Sequence, residues 1–173
     1  LETPELMGSV ENFKVFMKAV QEVSPVPVRF DEISSGAKGY YSNTEKEIVI
    51  QNGMSESQTM KTGIHEVTHA MLHDRDFMEE QGEKKNQMTK EVEAESVAYT
   101  VCQYFGLDTS DYSFPYIAGW SSSMDMKELR TSMDTIRKTA GSFIVSMTEV
   151  IQRLMREQPE LSLSAMKQAE ILI

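Results

Sequence analysis

His65-Glu66-Val67-Thr68-His69, set in the longer stretch 59–73, decides how this chain is read. Two histidines four residues apart, with a glutamate directly after the first, form the helical zinc-binding pattern of metallopeptidases. On a helix, positions i and i+4 stand one above the other, so both imidazoles reach a single ion. Zinc accepts neutral imidazole nitrogen, and a catalytic site needs three protein ligands and one position left for water. Glu66, beside the first ligand, is the candidate general base toward that water.

Such a motif has meaning only on a helix. Ser55-Glu56-Ser57-Gln58 reads as a capping box, with Ser55 as the N-cap and Gln58 reaching back. From there Met60, Ile64, Val67 and Met71 recur at helical spacing and form one apolar stripe. His65, His69 and His73 form a second stripe beside it, with Glu66 on the same side. The chain has three histidines, and all three fall on this strip. His73 is open to three readings: a donor behind a ligand, an alternative ligand, or a polar surface residue, and a role other than ligand is favoured. Gly63, just before the motif, is expected to let a neighbour approach closely.

The third ligand should come from a second helix over 91–105. Ala94, Val97, Ala98, Val101 and Phe105 mark its apolar face. Glu91 and Glu95 project to the edge of that face, where a carboxylate needs a partner or a metal. Glu93 projects nearly opposite, toward water, and needs neither. Glu91 and Glu95 are i and i+4, so one can bind the metal while the other accepts an N–H from a ligating histidine.

Around this centre the expected elements are simple. Residues 4–23 show an amphipathic helix, ended by Ser24-Pro25-Val26-Pro27, and Val28-Arg29-Phe30 reads as a short edge strand. Gly39-Tyr40-Tyr41 and Glu47-Ile48-Val49-Ile50 carry strand formers about a turn at Ser42-Asn43-Thr44-Glu45, which makes a β-hairpin. A strand beside the metal helix is the usual binder of substrate backbone in such peptidases, and a plain hairpin over the core is the alternative. The polar stretch 74–89 reads as a mobile connection. Residues 124–157 form a long helix with Leu129, Met133, Ile136, Ala140, Phe143, Met147, Ile151 and Leu154 near heptad spacing. Pro159 ends it, and 163–173 begin another.

The composition bounds the partners. With 173 residues and 40% hydrophobic content, one domain over 1–173 is expected: a core at about 24–121, a helix at 4–23 before it and a helical extension at 124–173 after it. The ends of the chain look like those of an excised piece of a longer polypeptide. The formal charge of −10 argues against direct nucleic-acid binding by this segment. A lone cysteine, Cys102, excludes an internal disulfide, fits a reducing compartment and is expected as a small buried hydrophobe. No apolar run is long enough to span a bilayer, so no membrane partner is expected.

These residues carry a family likeness. His65-Glu66-Val67-Thr68-His69, followed by Glu91-Val92-Glu93-Ala94-Glu95 and Val97-Ala98, resembles the ImmA/IrrE-type zinc metallopeptidases. The resemblance is closer to the ArdC-like antirestriction and LtrC-like proteins of mobile elements, through Gly39-Tyr40-Tyr41, Glu47-Ile48-Val49-Ile50, His73 and Tyr116-Ile117-Ala118 with Trp120. It covers roughly 36–120. Val97 departs from the phenylalanine common in ImmA/IrrE members. The likeness implies an α+β, zincin-like (gluzincin) domain: a small antiparallel sheet on the motif helix, a second ligand-bearing helix, then C-terminal helices. It puts the zinc-binding glutamate on Glu91 and the supporting acid on Glu95. It also implies a cytoplasmic bacterial protein that acts on a protein or peptide substrate, with a DNA-binding domain as a possible neighbour in the longer chain.

The expected activity is therefore a zinc-dependent endopeptidase with His65, His69 and Glu91 on the metal and Glu66 as base. Tyr40, Tyr41, Tyr99 and Tyr116 are candidates for the donor that an oxyanion needs, and nothing in the sequence selects one. The alternative is a zinc-containing binding module for antirestriction or partner recognition, with little turnover. A deformylase-like hydrolase fits poorly, because its extra cysteine ligand lies upstream of the helix whereas Cys102 lies downstream. A purely structural zinc lacks a strong fourth ligand other than His73.

Overall fold

The computed structural model describes residues 12–109, 118–119, 121–122 and 124–158. Tyr116, Trp120, the start of the expected first helix and the helix at 163–173 lie outside them. The described residues form an α+β fold of five helices and one three-stranded sheet. In chain order these are α1 (Phe13–Val23), β1 (Val28–Asp31), β2 (Gly39–Ser42), β3 (Glu47–Gln51), α2 (Glu56–Leu72), α3 (Arg75–Gln81), α4 (Gln87–Tyr104) and α5 (Met126–Glu157). None of the helices is long and apolar enough to cross a membrane.

The hairpin forms as the sequence suggests, with β2 antiparallel to β3 and Tyr41 opposite Ile48. The sheet as a whole is mixed, which corrects the expectation of an antiparallel one. β3 inserts between β2 and β1, and β1 runs parallel to it with Val28 opposite Ile48. Strand β1 begins directly after Pro27, whose carbonyl accepts from the Ile48 N–H, so the proline costs the ladder nothing. Ile48, Val49 and Ile50 are all buried, as residues of a central strand covered on both faces should be.

Helix α2 starts where its cap predicts: Ser55 accepts from the Gln58 N–H. Met60, Ile64 and Val67 are fully buried. They meet α1 through Val15, Met17 and Val20, β3 through Ile48 and Ile50, and α4 through Val97, Ala98 and Val101 in one apolar cluster. The glycine that permits a close approach is Gly39 rather than Gly63. A Cβ on Gly63 would meet Met17 and Val20 at 3.4 Å, ordinary contact. A Cβ on Gly39 would stand 2.7 Å from Thr62 Cγ2 and 3.2 Å from the Val49 carbonyl oxygen. Strand β2 therefore lies against α2 only because residue 39 has no side chain.

Two further expectations change. The stretch read as a mobile connection contains α3, capped by Asp74 at its start and ended by Gly82 at φ 66°. Helix α4 starts four residues earlier than expected, at Gln87, with Asn86 accepting from the Thr89 N–H. It runs between α2 and α5, and every residue from Val92 to Ala98 is buried. Seven consecutive residues take in all sides of a helix. The projection that sent Glu93 toward water assumed one wet face, and this part of α4 has none.

Helix α5 closes the core with Ala140, Phe143, Met147, Ile151 and Leu154. Met133, placed on that stripe by its spacing, is exposed, and Ser132 is buried in its place. Cys102 is fully buried, and that burial pushes its thiol pKa up.

Candidate metal centre

Helices α2 and α4 bring two imidazole nitrogens and the carboxylate of Glu91 together. His65 Nε2 stands 3.2 Å from His69 Nε2 and 3.2 Å from Glu91 Oε2, and His69 Nε2 is 3.2 Å from Glu91 Oε1. Ligand atoms bonded at roughly 2.0–2.1 Å to a tetrahedral centre lie about 3.3 Å apart. The three residues, His65, His69 and Glu91, thus form a group able to hold a metal ion.

The partners behind the imidazoles decide which nitrogens are bare. His65 Nδ1 is 2.9 Å from Glu95 Oε2. An ionised carboxylate only accepts, so Nδ1–H donates and a neutral ring keeps its lone pair on Nε2. His69 reaches its carboxylate in two steps: its Nδ1 is 2.9 Å from His73 Nδ1, and His73 Nε2 is 2.9 Å from Glu93 Oε1. Burial holds His73 below its ordinary pKa. Burial works against the charge on Glu93, but His73 and Lys85 outweigh it and keep the carboxyl ionised. His73 is then neutral and donates from Nε2, so its Nδ1 accepts from His69 Nδ1–H. Nε2 of His69 is left bare, as on His65 when that ring is neutral.

Without a metal among them these groups are held together by a proton on His65 Nε2, which donates to Glu91. Burial disfavours charge on His65, but Glu91 and Glu95 outweigh it and raise its pKa to about 10. Burial likewise works against ionised Glu91, and His65 and His69 hold it well below the usual carboxylate range. Each supporting carboxylate also has a lysine: Lys61 Nζ is 3.1 Å from Glu95 Oε2, and Lys85 Nζ is 2.8 Å from Glu93 Oε1. With both imidazoles neutral, as ligation requires, those two pairs cancel and Glu66 and Glu91 leave a negative charge at the centre. A divalent cation held there would balance it.

Glu66 is nearly buried and faces two openings. One, of about 270 Å³, is lined by residues that include Lys38, Gly39, Lys61, His65, Glu66 and Glu91. The other is bounded by Gly39, Tyr40, Tyr41, Glu66, His69 and Lys90 among others. Strand β2 borders both, through Gly39 on the first and through Gly39, Tyr40 and Tyr41 on the second. Among the described residues it pairs with β3 alone, and the Lys38 carbonyl accepts inward from the Gln51 N–H. By the alternation of an antiparallel ladder, the backbone groups of Gly39 and Tyr41 turn to the free edge.

Of the tyrosine candidates, Tyr40 and Tyr41 line the second opening. Tyr41 gives its hydroxyl proton to Asp74, and burial together with that bond raises its pKa to about 12. Tyr99 lies just over two turns past Glu91 on α4 and lines neither opening. Sequence reasoning missed Lys61, Lys85 and Glu93. Lys61 carried a signal, since 61, 65, 69 and 73 are spaced by four and share one stripe.

A stretch of 113 residues, 65% of the chain, is 35% identical to Uncharacterized protein pXO2-81 of Bacillus anthracis, and the chain spans 18% of that relative's length. No protein family matches the chain. No solved structure matches it either.

Proposed function

We propose that this chain is the zinc-binding catalytic domain of a metallo-endopeptidase acting on a protein substrate. The observation that carries the proposal is the meeting of His65, His69 and Glu91, with 3.2 Å between the two imidazole Nε2 atoms and 3.2 Å from each of them to one Glu91 oxygen, both rings being bonded from behind through Nδ1 so that Nε2 points inward. His65, His69 and Glu91 would hold the metal. When bound, it supplies Lewis-acid chemistry, lowering the pKa of a water and polarising the scissile carbonyl. Glu66 takes the proton from the attacking water and returns it to the departing amine. The free edge of β2 at Gly39 and Tyr41 suits an extended peptide laid beside Glu66, with backbone hydrogen bonds fixing its direction. Tyr40 is the tyrosine on that wall whose hydroxyl is not given to Asp74.

A zincin-like assignment of the fold belongs to the same proposal. So do the kinship with ImmA/IrrE-type and ArdC-like proteins, the cytoplasmic setting and a DNA-binding neighbour in the longer chain. The test is metal analysis paired with cleavage of a mixed peptide library by the wild type, Glu66→Gln and Glu91→Ala. One zinc per chain, retained in an inactive Glu66→Gln and lost in Glu91→Ala, is the expected result. Zinc bound with no cleavage by the wild type would favour the binding module, and no zinc would overturn both readings.

A further inference from the structure

The long arm behind His69 has a composition that packing alone does not explain. Glu93 is completely buried in α4. Its Oε1 takes both His73 and Lys85, while Oε2 is buried with no hydrogen-bond partner among the described residues. A carboxylate with one oxygen orphaned in the core destabilises a fold relative to an apolar side chain of similar size. What it supplies in return is its grip on His73, since a neutral imidazole left to itself is free to take either tautomer.

Resting on the metal-site reading above, we propose that His73 and Glu93, charge-balanced by Lys85, are the positioning residues of His69: they fix its tautomer and ring orientation and so set the affinity of the centre for a divalent metal. The geometry excludes His73 as a third imidazole ligand in this arrangement. Both of its nitrogens are already engaged, one on His69 and one on Glu93. Lys85 sits just before α4, next to its N-cap Asn86, and its side chain is 15% exposed. The grip on the metal ligand thus extends to the segment between α3 and α4.

The experiment is titration of zinc and cobalt into His73→Phe, Glu93→Leu and Glu93→Gln proteins, with histidine ¹⁵N NMR of the metal-free wild type. Loss of an outer hydrogen-bond partner of a ligating histidine typically weakens metal binding roughly 10–100-fold. His73→Phe and Glu93→Leu are expected in that range, with an altered cobalt absorption spectrum. Glu93→Gln, whose amide oxygen still accepts from His73, is expected to recover most of the affinity and the wild-type spectrum. His73→Phe keeps a ring of similar size in place, so a packing role alone would leave its metal affinity near wild type. In the NMR spectrum His73 should carry its proton on Nε2 and His69 on Nδ1. That readout needs no metal, so it tests the arm even if the wild type binds none. Wild-type affinity in both His73→Phe and Glu93→Leu, or a His73 proton on Nδ1, would overturn the proposal. Failure of the wild type itself to bind either metal, with the expected tautomers present, would instead remove the metal reading and the purpose assigned to the arm.

Discussion

The two imidazoles at the centre are held from behind by arms of different length. His65 meets Glu95 directly, and Glu95 meets Lys61; His69 needs His73 before it meets Glu93 and Lys85. Both arms end in a lysine–glutamate pair, but the lysines differ. Lys61 is 3% exposed inside α2, whereas Lys85 is 15% exposed ahead of α4. The short arm is therefore part of the core, and loss of its carboxylate strands a cation in a low-dielectric interior. The long arm can release its lysine to water. Ligation and stability are tied together behind His65 and separable behind His69.

Substitutions in the arms test that difference first. Glu95→Leu should lower stability by about 3–5 kcal/mol in urea unfolding, the usual cost of breaking a buried ion pair from one side. Replacing both partners, as Glu95→Leu with Lys61→Met, should restore most of it, while Glu93→Leu alone should cost clearly less than Glu95→Leu. Equal losses for the two glutamate variants would erase the distinction between the arms.

A smaller effect is expected at Gly39, which touches neither arm. Gly39→Ala puts a methyl 2.7 Å from Thr62 and 3.4 Å from Glu66 Cγ, and overpacking of this kind costs about 1–3 kcal/mol. Metal content should stay at the wild-type level while cleavage falls, because the strand and Glu66 move and the ligands do not. Parallel loss of metal would show that the arms depend on the β2 wall.

The smallest effect concerns the corner beyond His73. Asp74 caps α3 and receives Lys46 and Tyr41 from the hairpin. Burial opposes its charge, and the bonds from Lys46, Tyr41 and the Phe77 N–H outweigh it and bring its pKa down to about 2. A depressed carboxyl pKa stabilises the fold above the unfolded value near 4 and ceases to do so as pH falls through the folded one. Asp74→Asn should cost about 1 kcal/mol or less at neutral pH. The gap to wild type should close between about pH 4 and pH 2, as followed by thermal unfolding at stepped pH. Unchanged zinc affinity in this variant would show that the long arm is independent of the corner.

Local signals were read well from the sequence. The Ser55 cap, the hairpin turning at residues 42–45 and the i, i+4 histidines each depend on neighbours in the chain; the cap and the histidines are found where expected, and the turn runs one residue further, to Lys46. Glu91 and Glu95 also converge on the histidines as their spacing suggested. What was not legible depends on distant partners. The parallel pairing of β1 with β3 joins segments with no shared turn. The periodicity of α4 does not place Glu93, because its partners are His73 and Lys85 from outside that helix. Gly39 matters through Thr62, and no local pattern announces that contact.

The unbroken burial of residues 92–98 has a consequence for how this helix would appear in a scan of all single substitutions. In α5, tolerance should rise and fall every three to four residues, with Phe143, Met147, Ile151 and Leu154 intolerant and the positions between them permissive. Across 92–98 the rhythm should vanish, leaving a solid block in which polar and apolar positions resist change alike. Such a block resembles a short linear motif, and a reader of the scan alone would miss that it is a helix.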